Sequence, residues 1–590
     1  MENQICNRLT SLRALMWDKN IKGIIIPSSD PHMSEYLATH WKVREWFSGF
    51  TGSAGTLVVT LDNAGLWTDS RYFIQADREL QNTGITLYKD GLSSTPTIAE
   101  FLQNKLSLGD TISIYGEIIS VQAYYSQWKE QLCDFEINTI DGLFSPIWLE
   151  RPSLPDTPCY VYDKKYAGES VESKLNKIRK TLPQNTALLV SALDEIAWTL
   201  NIRGNEIQNN PVVISYLLID QNQCRLFIDS TKITEEVEKH LSNNNISILA
   251  YSEIFNALIT LNIENLQFDP QTTNAKAKLS INPNIIQKPK ASPIPLFKAI
   301  RNDVEIKNLK SAMTKDGIAL VRFLIWLEDN ISSEKITEID ISNKLYELRA
   351  KQPLFKGESF DTIAGYKEHG AIVHYKATPE TNATLKPKGF LLVDSGAQYL
   401  DGTTDITRTI ALGQLTDEEK EDYTAVLRGN INLSRAIFPE GTRGSQLDIL
   451  ARLPLWEMKK NFLHGTGHGV GHFMCVHEGP QSIRMNENST TMHLGMLTSN
   501  EPGVYIENSH GIRIENLLLV SSAGEGLFTD YYKFDTVTLC PICTKGILKN
   551  RLSAEEISWL NAYHENVYIK LAPHLTSKEQ EWLKQATAKI

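Results

Sequence analysis

Residues 389–412 read GFLLVDSGAQYLDGTTDITRTIAL, a β-hairpin pattern with an acid on each arm. The apolar run 389–394 ends in Asp394. Asp401-Gly402 signals a tight turn, and Asp405 opens a second apolar alternation, DITRTIAL. A hairpin centred near residues 399–400 places Asp394 opposite Asp405, and residues opposite one another share a face. Two like charges on one face repel, so this reading calls for a counter-charge.

The device recurs further on. Glu501-Pro502-Gly503 leads into VYIE, a polar turn spans 508–511, and IRIE ends at Glu515. Arg513 shares a face with Glu515 by the strand period of two. Between the two hairpins lies HGTGHGVGHFMCVHE, residues 464–478. Its alternating glycines oppose a helix, and no Glu stands between His464 and His468, so this is not the helical HExxH zinc motif. In an extended chain His464, Thr466 and His468 share a face, with glycines that let another group come close. Eight of the 13 histidines fall between His369 and His510, the same window as the acids. Four carboxylates and one imidazole suit two divalent cations of hard or borderline character: Mn²⁺, Mg²⁺, Co²⁺ or Zn²⁺. Two such ions balance the four negative charges, bridge a hydroxide at neutral pH and polarise a carbonyl.

Composition narrows the setting. The 590 residues carry a net charge of −11 with 22% charged and 42% apolar residues, which points to a multidomain globular chain. An acidic balance and the lack of a basic patch argue against nucleic acid as a partner. Seven scattered cysteines fit a reducing compartment better than a disulfide scaffold. The first twenty residues mix charges into their apolar positions, so no signal peptide is expected. No apolar run of about 18 residues occurs, so no membrane span is expected either. The expected location is the cytoplasm. Gly-Lys and G-x-S-x-G are both absent, which removes the P-loop and the serine nucleophile elbow.

Two proline-rich stretches, 151–158 (RPSLPDTP) and 287–295 (QKPKASPIP), read as linkers. They imply segments 1–155, 156–295 and 296–590. The first two read as α/β, with strands expected at 23–27, 55–60, 187–190 and 217–219. No residue-level repeat relates them. The third opens on an amphipathic helical pattern over 303–327 and ends in about forty helical residues.

The order Asp394, Asp405, His468, Glu501, Glu515 resembles the dimetal pita-bread peptidases, the family of methionine aminopeptidase, Xaa-Pro dipeptidase and aminopeptidase P. HGTGHGVG (464–471), VHEGP (476–480), EPGVYIE (501–507) and GIRIENLLLV (511–520) are similar to the three-domain cytosolic aminopeptidase P type. So are DEIAWTLNIRG (194–204), NPV (210–212), SGFTGSAGT (48–56) and WTDSRYFIQA (67–76). The resemblance implies two small creatinase-N-like α/β domains followed by an α+β pita-bread catalytic domain with a C-terminal helical extension. It implies a homodimer acting on peptides that carry proline second. It implies two metal ions, Mn²⁺ first, with Zn²⁺ or Co²⁺ as alternatives. Asp394, Asp405 and Glu515 would hold one ion, and Asp405, His468, Glu501 and Glu515 the other. Glu501 would double as general base, while His374, His464 and His477 would bind the substrate carbonyl and the oxyanion. Arg513 would support the ligands.

An Xaa-Pro dipeptidase is the nearest alternative, although the middle segment has no counterpart in its usual two-domain build. Methionine aminopeptidase needs no such upstream region. A non-enzymatic scaffold of the same fold is disfavoured because every ligand position is intact. Two departures stand out. His472 follows the glycine run where a small residue is usual, and either crowds the site or points away. Cys540-Pro-Ile-Cys543 has the spacing of a redox or zinc CxxC but no second pair.

Overall fold

The computed structural model describes residues 2–140 and 142–590. They form two compact units, the described residues up to Lys164 with Glu169–Ile294, and Lys165–Gly168 with Pro295–Ile590.

The first unit contains two six-stranded mixed sheets. In spatial order one runs Thr86–Lys89, Ala64–Thr68, Thr56–Thr60, Gly23–Pro27, Thr111–Ile114, Glu136–Thr139. The other runs Ile246–Leu249, Cys224–Ile228, Ser215–Ile219, Thr186–Val190, Asn265–Phe268, Ile286–Pro289. On one side of the strand that comes first in the chain, each sheet has two successive antiparallel pairings and then a parallel edge strand. Each has two parallel strands on the other. The topology therefore repeats where the residues do not. Apolar strand faces bury against helices: Ile25, Val58 and Ile112 with Phe101 and Leu102 in one half, Leu189, Leu218 and Phe227 with Ile254 and Leu258 in the other. All four expected strands form, at Gly23–Pro27, Thr56–Thr60, Thr186–Val190 and Ser215–Ile219. Residues 151–158 form no helix or strand. The second proline stretch differs from a plain linker. Its start belongs to the edge strand Ile286–Pro289, where an edge tolerates the missing proline N–H.

The second unit contains the 28-residue helix Asp303–Asn330. Asn302 caps it by accepting from the Val304 and Glu305 N–H groups, and Glu305 returns the bond to the Asn302 N–H. Val321 from this helix joins Phe390, Tyr423, Leu427, Ile512, Ile514 and Leu560 in the core. The expected C-terminal helices are Ala554–Leu571 and Ser577–Ala586.

Both acid-bearing hairpins form, each longer than one strand pair. In the first, Phe390–Ser395 pairs with Ile406–Ala411, and Ala397–Tyr399 pairs with Gly402–Thr403 in the same register. The turn is at residues 400–401, one position later than the sequence centre. Asp394 therefore faces Thr407, not Asp405. A one-residue move of the centre shifts the partner by two, so the shared face survives and the acids become diagonal neighbours. In the second, Leu497–Asn500 pairs with Asn516–Leu519 and Gly503–Ile506 with His510–Arg513. The loop is 507–509, so His510 and Gly511 belong to the strand. One register runs through both pairs and brings Glu501 level with Glu515. Asp405, Glu501 and Glu515 stand at the breaks between the paired stretches, and Asp394 is the last residue but one of the stretch that leads into the first break.

At the first break a Cβ on Gly396 would lie 2.0 Å from Ser359 Oγ and 2.1 Å from the Thr404 carbonyl oxygen. Gly396→Ala should therefore lower folding stability by about 1–3 kcal/mol through overpacking. The urea midpoint of the full chain measures this, and an unchanged midpoint would contradict the close approach.

Candidate metal centre

The breaks in the two ladders meet. Glu515 N–H donates to the Thr407 carbonyl at 3.1 Å, and Thr407 Oγ1 donates to Glu515 Oε2 at 2.9 Å. Asp405, His468 and Glu515 each present a ligand atom, all within 4.8 Å of one another. His468 Nε2 lies 3.2 Å from Glu501 Oε1 and 3.5 Å from Asp405 Oδ2. The Nδ1–H of His468 donates to the Gly469 carbonyl at 2.9 Å, which aims Nε2 at the acids. The short strand Gly467–His468 that carries this ring pairs with Ser482–Ile483. Gly467 is a forced choice, because a Cβ there would lie 2.0 Å from the Ser499 carbonyl oxygen.

Arg513 reaches Glu515 through Thr407 and pairs directly with a different acid. Its guanidinium is buried and donates to Asp394 Oδ2 at 2.6 Å, not to Glu515. It also donates to Thr407 Oγ1 at 3.2 Å, to the Val373 carbonyl at 3.3 Å and to Tyr505 Oη at 2.7 Å. Tyr505 Oη contacts His464 Nε2 at 2.8 Å, and His464 Nδ1 donates to the Gly465 carbonyl at 2.7 Å. His464 reaches Glu501 only at 4.0 Å. Thr466 departs from the face of His464 and His468, because its hydroxyl donates to buried Asp448 at 2.6 Å. His477 packs edge-on against His468 with ring centres 4.4 Å apart. His374 is half-buried in a turn whose flanks are held by Arg513 at Val373 and by the Tyr375–Glu338 hydrogen bond of 2.8 Å.

The remaining motifs separate cleanly. The His472 ring donates to the Tyr166 carbonyl at 3.2 Å, so it points away from the carboxylates. Cys540 is core, and its carbonyl accepts from Arg408 and Tyr563. Burial pushes its thiol upward, which makes it a poor nucleophile. Thr407 and Tyr505 were missed as site residues. Both lie on the period-two face of an identified acid, Thr407 two residues beyond Asp405 and Tyr505 four beyond Glu501, and that signal could have found them.

The electrostatics favour cations. Burial, then repulsion from Glu515 and Asp394, pushes Asp405 well above the usual carboxylate range. Burial, then Glu501 and Asp394, does the same to Glu515. Burial raises Asp394 too, against the pull of Arg513. Burial also opposes charge on Glu501 and His468. Their mutual hydrogen bond overcomes it, holding Glu501 down to about 2 and His468 up to about 9. Asp394 Oδ1 and Glu515 Oε1 are buried and accept no hydrogen bond among the described residues. Two hard oxygen donors with nothing to bind, in a cluster short of positive charge, fit a pair of divalent ions.

Comparison with known proteins follows the same lines. The chain matches the creatinase/prolidase N-terminal domain over residues 8–147 and again over 150–305. It matches metallopeptidase family M24 over 307–522 and the C-terminal region of peptidase M24 over 530–590. Aminopeptidase P2 of Arabidopsis thaliana is 40% identical, with 98% of this chain and 87% of that one aligned. Xaa-Pro aminopeptidase 1 of Dictyostelium discoideum is 38% identical over 98% and 96%. The crystal structure of X-prolyl aminopeptidase from Caenorhabditis elegans, a cytosolic enzyme with a di-nuclear active site, superposes with a TM-score of 0.95. The two are 34% identical over 99% of this chain and 100% of that one.

The raised carboxylates set a pH dependence. A carboxyl raised by folding stabilises the metal-free protein below its unfolded value, and that stability is lost as pH rises through the folded value. A divalent ion must displace these protons and the one on His468. Titrating metal-free protein with Mn²⁺ at about pH 6, in buffers of different ionisation enthalpy, should show net proton release, with affinity rising toward neutral pH. Affinity independent of pH would mean that the acids are already ionised without metal.

Proposed function

The chain belongs to metallopeptidase family M24, and we propose that it is an Xaa-Pro aminopeptidase, releasing the first residue from peptides with proline second. The observation that carries this is the convergence of Asp405, His468 and Glu515 between Asp394 and Glu501, in a chain whose full length aligns with aminopeptidase P relatives. The full-length likeness also favours this reading over the dipeptidase. The Xaa-Pro dipeptidase from Bacillus anthracis covers only 64% of this chain and, at 24% identity, shares the fold alone.

In this reading Asp394, Asp405 and Glu515 would hold one divalent ion, and Asp405, His468, Glu501 and Glu515 the other, with Mn²⁺ the ion proposed. Such a pair supplies a nucleophile from water at neutral pH and a Lewis acid for the scissile carbonyl. Glu501, held ionised by its bond to His468, accepts the proton of the attacking water and delivers it to the leaving proline nitrogen. That bond needs a dedicated site, because proline offers no N–H to a general protease. His374, His464 and His477 receive the substrate carbonyl and the developing oxyanion. Arg513 fixes Asp394 and, through Tyr505, sets the orientation of His464. Among the described residues no helix is long and apolar enough to cross a membrane. A cytoplasmic homodimer acting on peptides, without nucleic acid or membrane partners, completes the proposal.

Asp405→Asn keeps the shape and removes one carboxylate charge. It should abolish two-ion binding and lower kcat/KM by at least about 10³-fold. Full activity in that variant would sink the dimetal assignment. With metal restored, wild-type protein should cleave an Xaa-Pro-Yaa peptide and spare the Xaa-Pro dipeptide and Met-Ala-Yaa. Faster turnover of the dipeptide would assign a dipeptidase. Two bound ions without turnover of any of the three would assign a scaffold.

A further inference from the structure

Residues 469–478 close on themselves through two backbone bonds. Gly471 N–H donates to the Cys475 carbonyl at 2.9 Å, and Glu478 N–H to the Gly469 carbonyl at 2.8 Å. His468 enters this loop and His477 leaves it. Gly469 and Gly471 give the loop little stiffness of its own. Groups outside it therefore share in placing the two rings.

Such groups are present on every side. Lys298 Nζ lies 2.9 Å from Glu478 Oε1, with the two side chains 2% and 5% exposed. Arg301 Nη2 donates to the Val470 and Gly471 carbonyls at 2.5 and 3.0 Å. Gln398 Nε2 donates to the Met474 carbonyl at 2.6 Å from the hairpin that carries Asp394 and Asp405. His472 Nε2 donates to the Tyr166 carbonyl, which also accepts from Asn308 Nδ2 at 3.3 Å. The segment Lys165–Gly168 is itself seated at the start of the long helix. Asn302 Nδ2 donates to the Ala167 carbonyl and Asn308 Nδ2 to the Lys165 carbonyl, both at 3.0 Å. Gly168 permits this fit with φ at +71°, and a Cβ there would fall 2.1 Å from Asn302 Oδ1.

We infer that Lys298, Arg301 and His472 are positioning residues of the metal centre, holding the loop that orients His468 and His477. A buried Lys–Glu pair is weak evidence of stabilisation, since desolvation offsets much of the attraction. What this pair does is direct: Glu478 adjoins His477, so Lys298 fixes the backbone on which that ring stands. Arg301 grips the two carbonyls that follow His468 and Gly469. The imidazole of His472, bonded to the Tyr166 carbonyl, supplies a third tether.

The inference rests on the metal assignment above, and the experiment keeps the two apart. Metal-free wild type, Lys298→Met, Lys298→Arg and His472→Ala are titrated with Mn²⁺ and assayed for kcat and KM after loading. Two equivalents bound by wild type establish the metal reading whatever the variants do, and none bound would overturn both it and the inference. Lys298→Met should weaken one of the two equivalents by about tenfold or more and lower kcat more than it changes KM. Lys298→Arg should recover most of that loss, and His472→Ala should shift affinity the same way by less. Should Lys298→Met fail to fold, the double variant Lys298→Met/Glu478→Gln leaves no lone buried charge and should show the same loss. Variants with lowered melting temperature but wild-type metal affinity and kcat would overturn the inference.

Discussion

Four buried or half-buried carboxylates, Asp394, Asp405, Glu501 and Glu515, share their pocket with one buried guanidinium, that of Arg513. Removing a single carboxylate from water costs several kcal/mol even after the protein relaxes. One arginine and one imidazole cannot offset four such costs. A cluster this lopsided does not stabilise the fold; in the proposed reading it is a set of ligands kept at high free energy until cations arrive. The ladder breaks that expose the acids and the glycines that let strands and loops close around them serve that arrangement.

Besides Arg513 on Asp394 and His468 on Glu501, the acids are held in place by groups that carry no charge. Thr407 donates to Glu515, and Ser499 Oγ donates to Glu501 at 3.1 Å while accepting the His468 N–H. Asn430, from the helix Asp417–Ser434, donates to the Asn500 and Ile514 carbonyls at 2.9 and 3.0 Å. It thereby ties the two arms of the second hairpin beside Glu501 and Glu515. Asn500 returns a bond to the Asn430 carbonyl at 2.8 Å. Hydroxyls and amides orient carboxylates without neutralising them, so the ligand set is preorganised and its charge is left for the ions.

Local patterns carried most of what the sequence disclosed. Both hairpins were legible because strand period and turn signals are short-range, and an error of one position in the first turn still left its acids on one face. The glycine-flanked histidines were legible for the same reason. Pairings between distant segments were not. Arg513 bonds to Asp394, Lys298 to Glu478 and His472 to the Tyr166 carbonyl, and no spacing announces any of them. The repeated sheet order of the first unit was hidden too. Strand order depends on which faces are apolar and how the connections run, and many residue choices satisfy both.

His464 and His468 show how far spacing can carry a chemical role. They lie four residues apart, both are withdrawn from water, and both approach Glu501. Burial drives each toward the neutral form. For His468 the 3.2 Å contact with Glu501 overrides it and raises the ring to about 9. For His464 the approach is 4.0 Å, Arg513 adds a like charge, and burial prevails, leaving the ring at about 4. A neutral His464 that donates from Nδ1 to the Gly465 carbonyl must accept at Nε2, so the Tyr505 hydroxyl donates a hydrogen bond to it and in turn accepts one from Arg513. Less than 1 Å in two distances to one carboxylate thus separates a ring poised to exchange its proton for a cation from a ring locked as a neutral hydrogen-bonding group. A motif can bring both histidines to the site, but only the packing of Glu501 between them decides which does what.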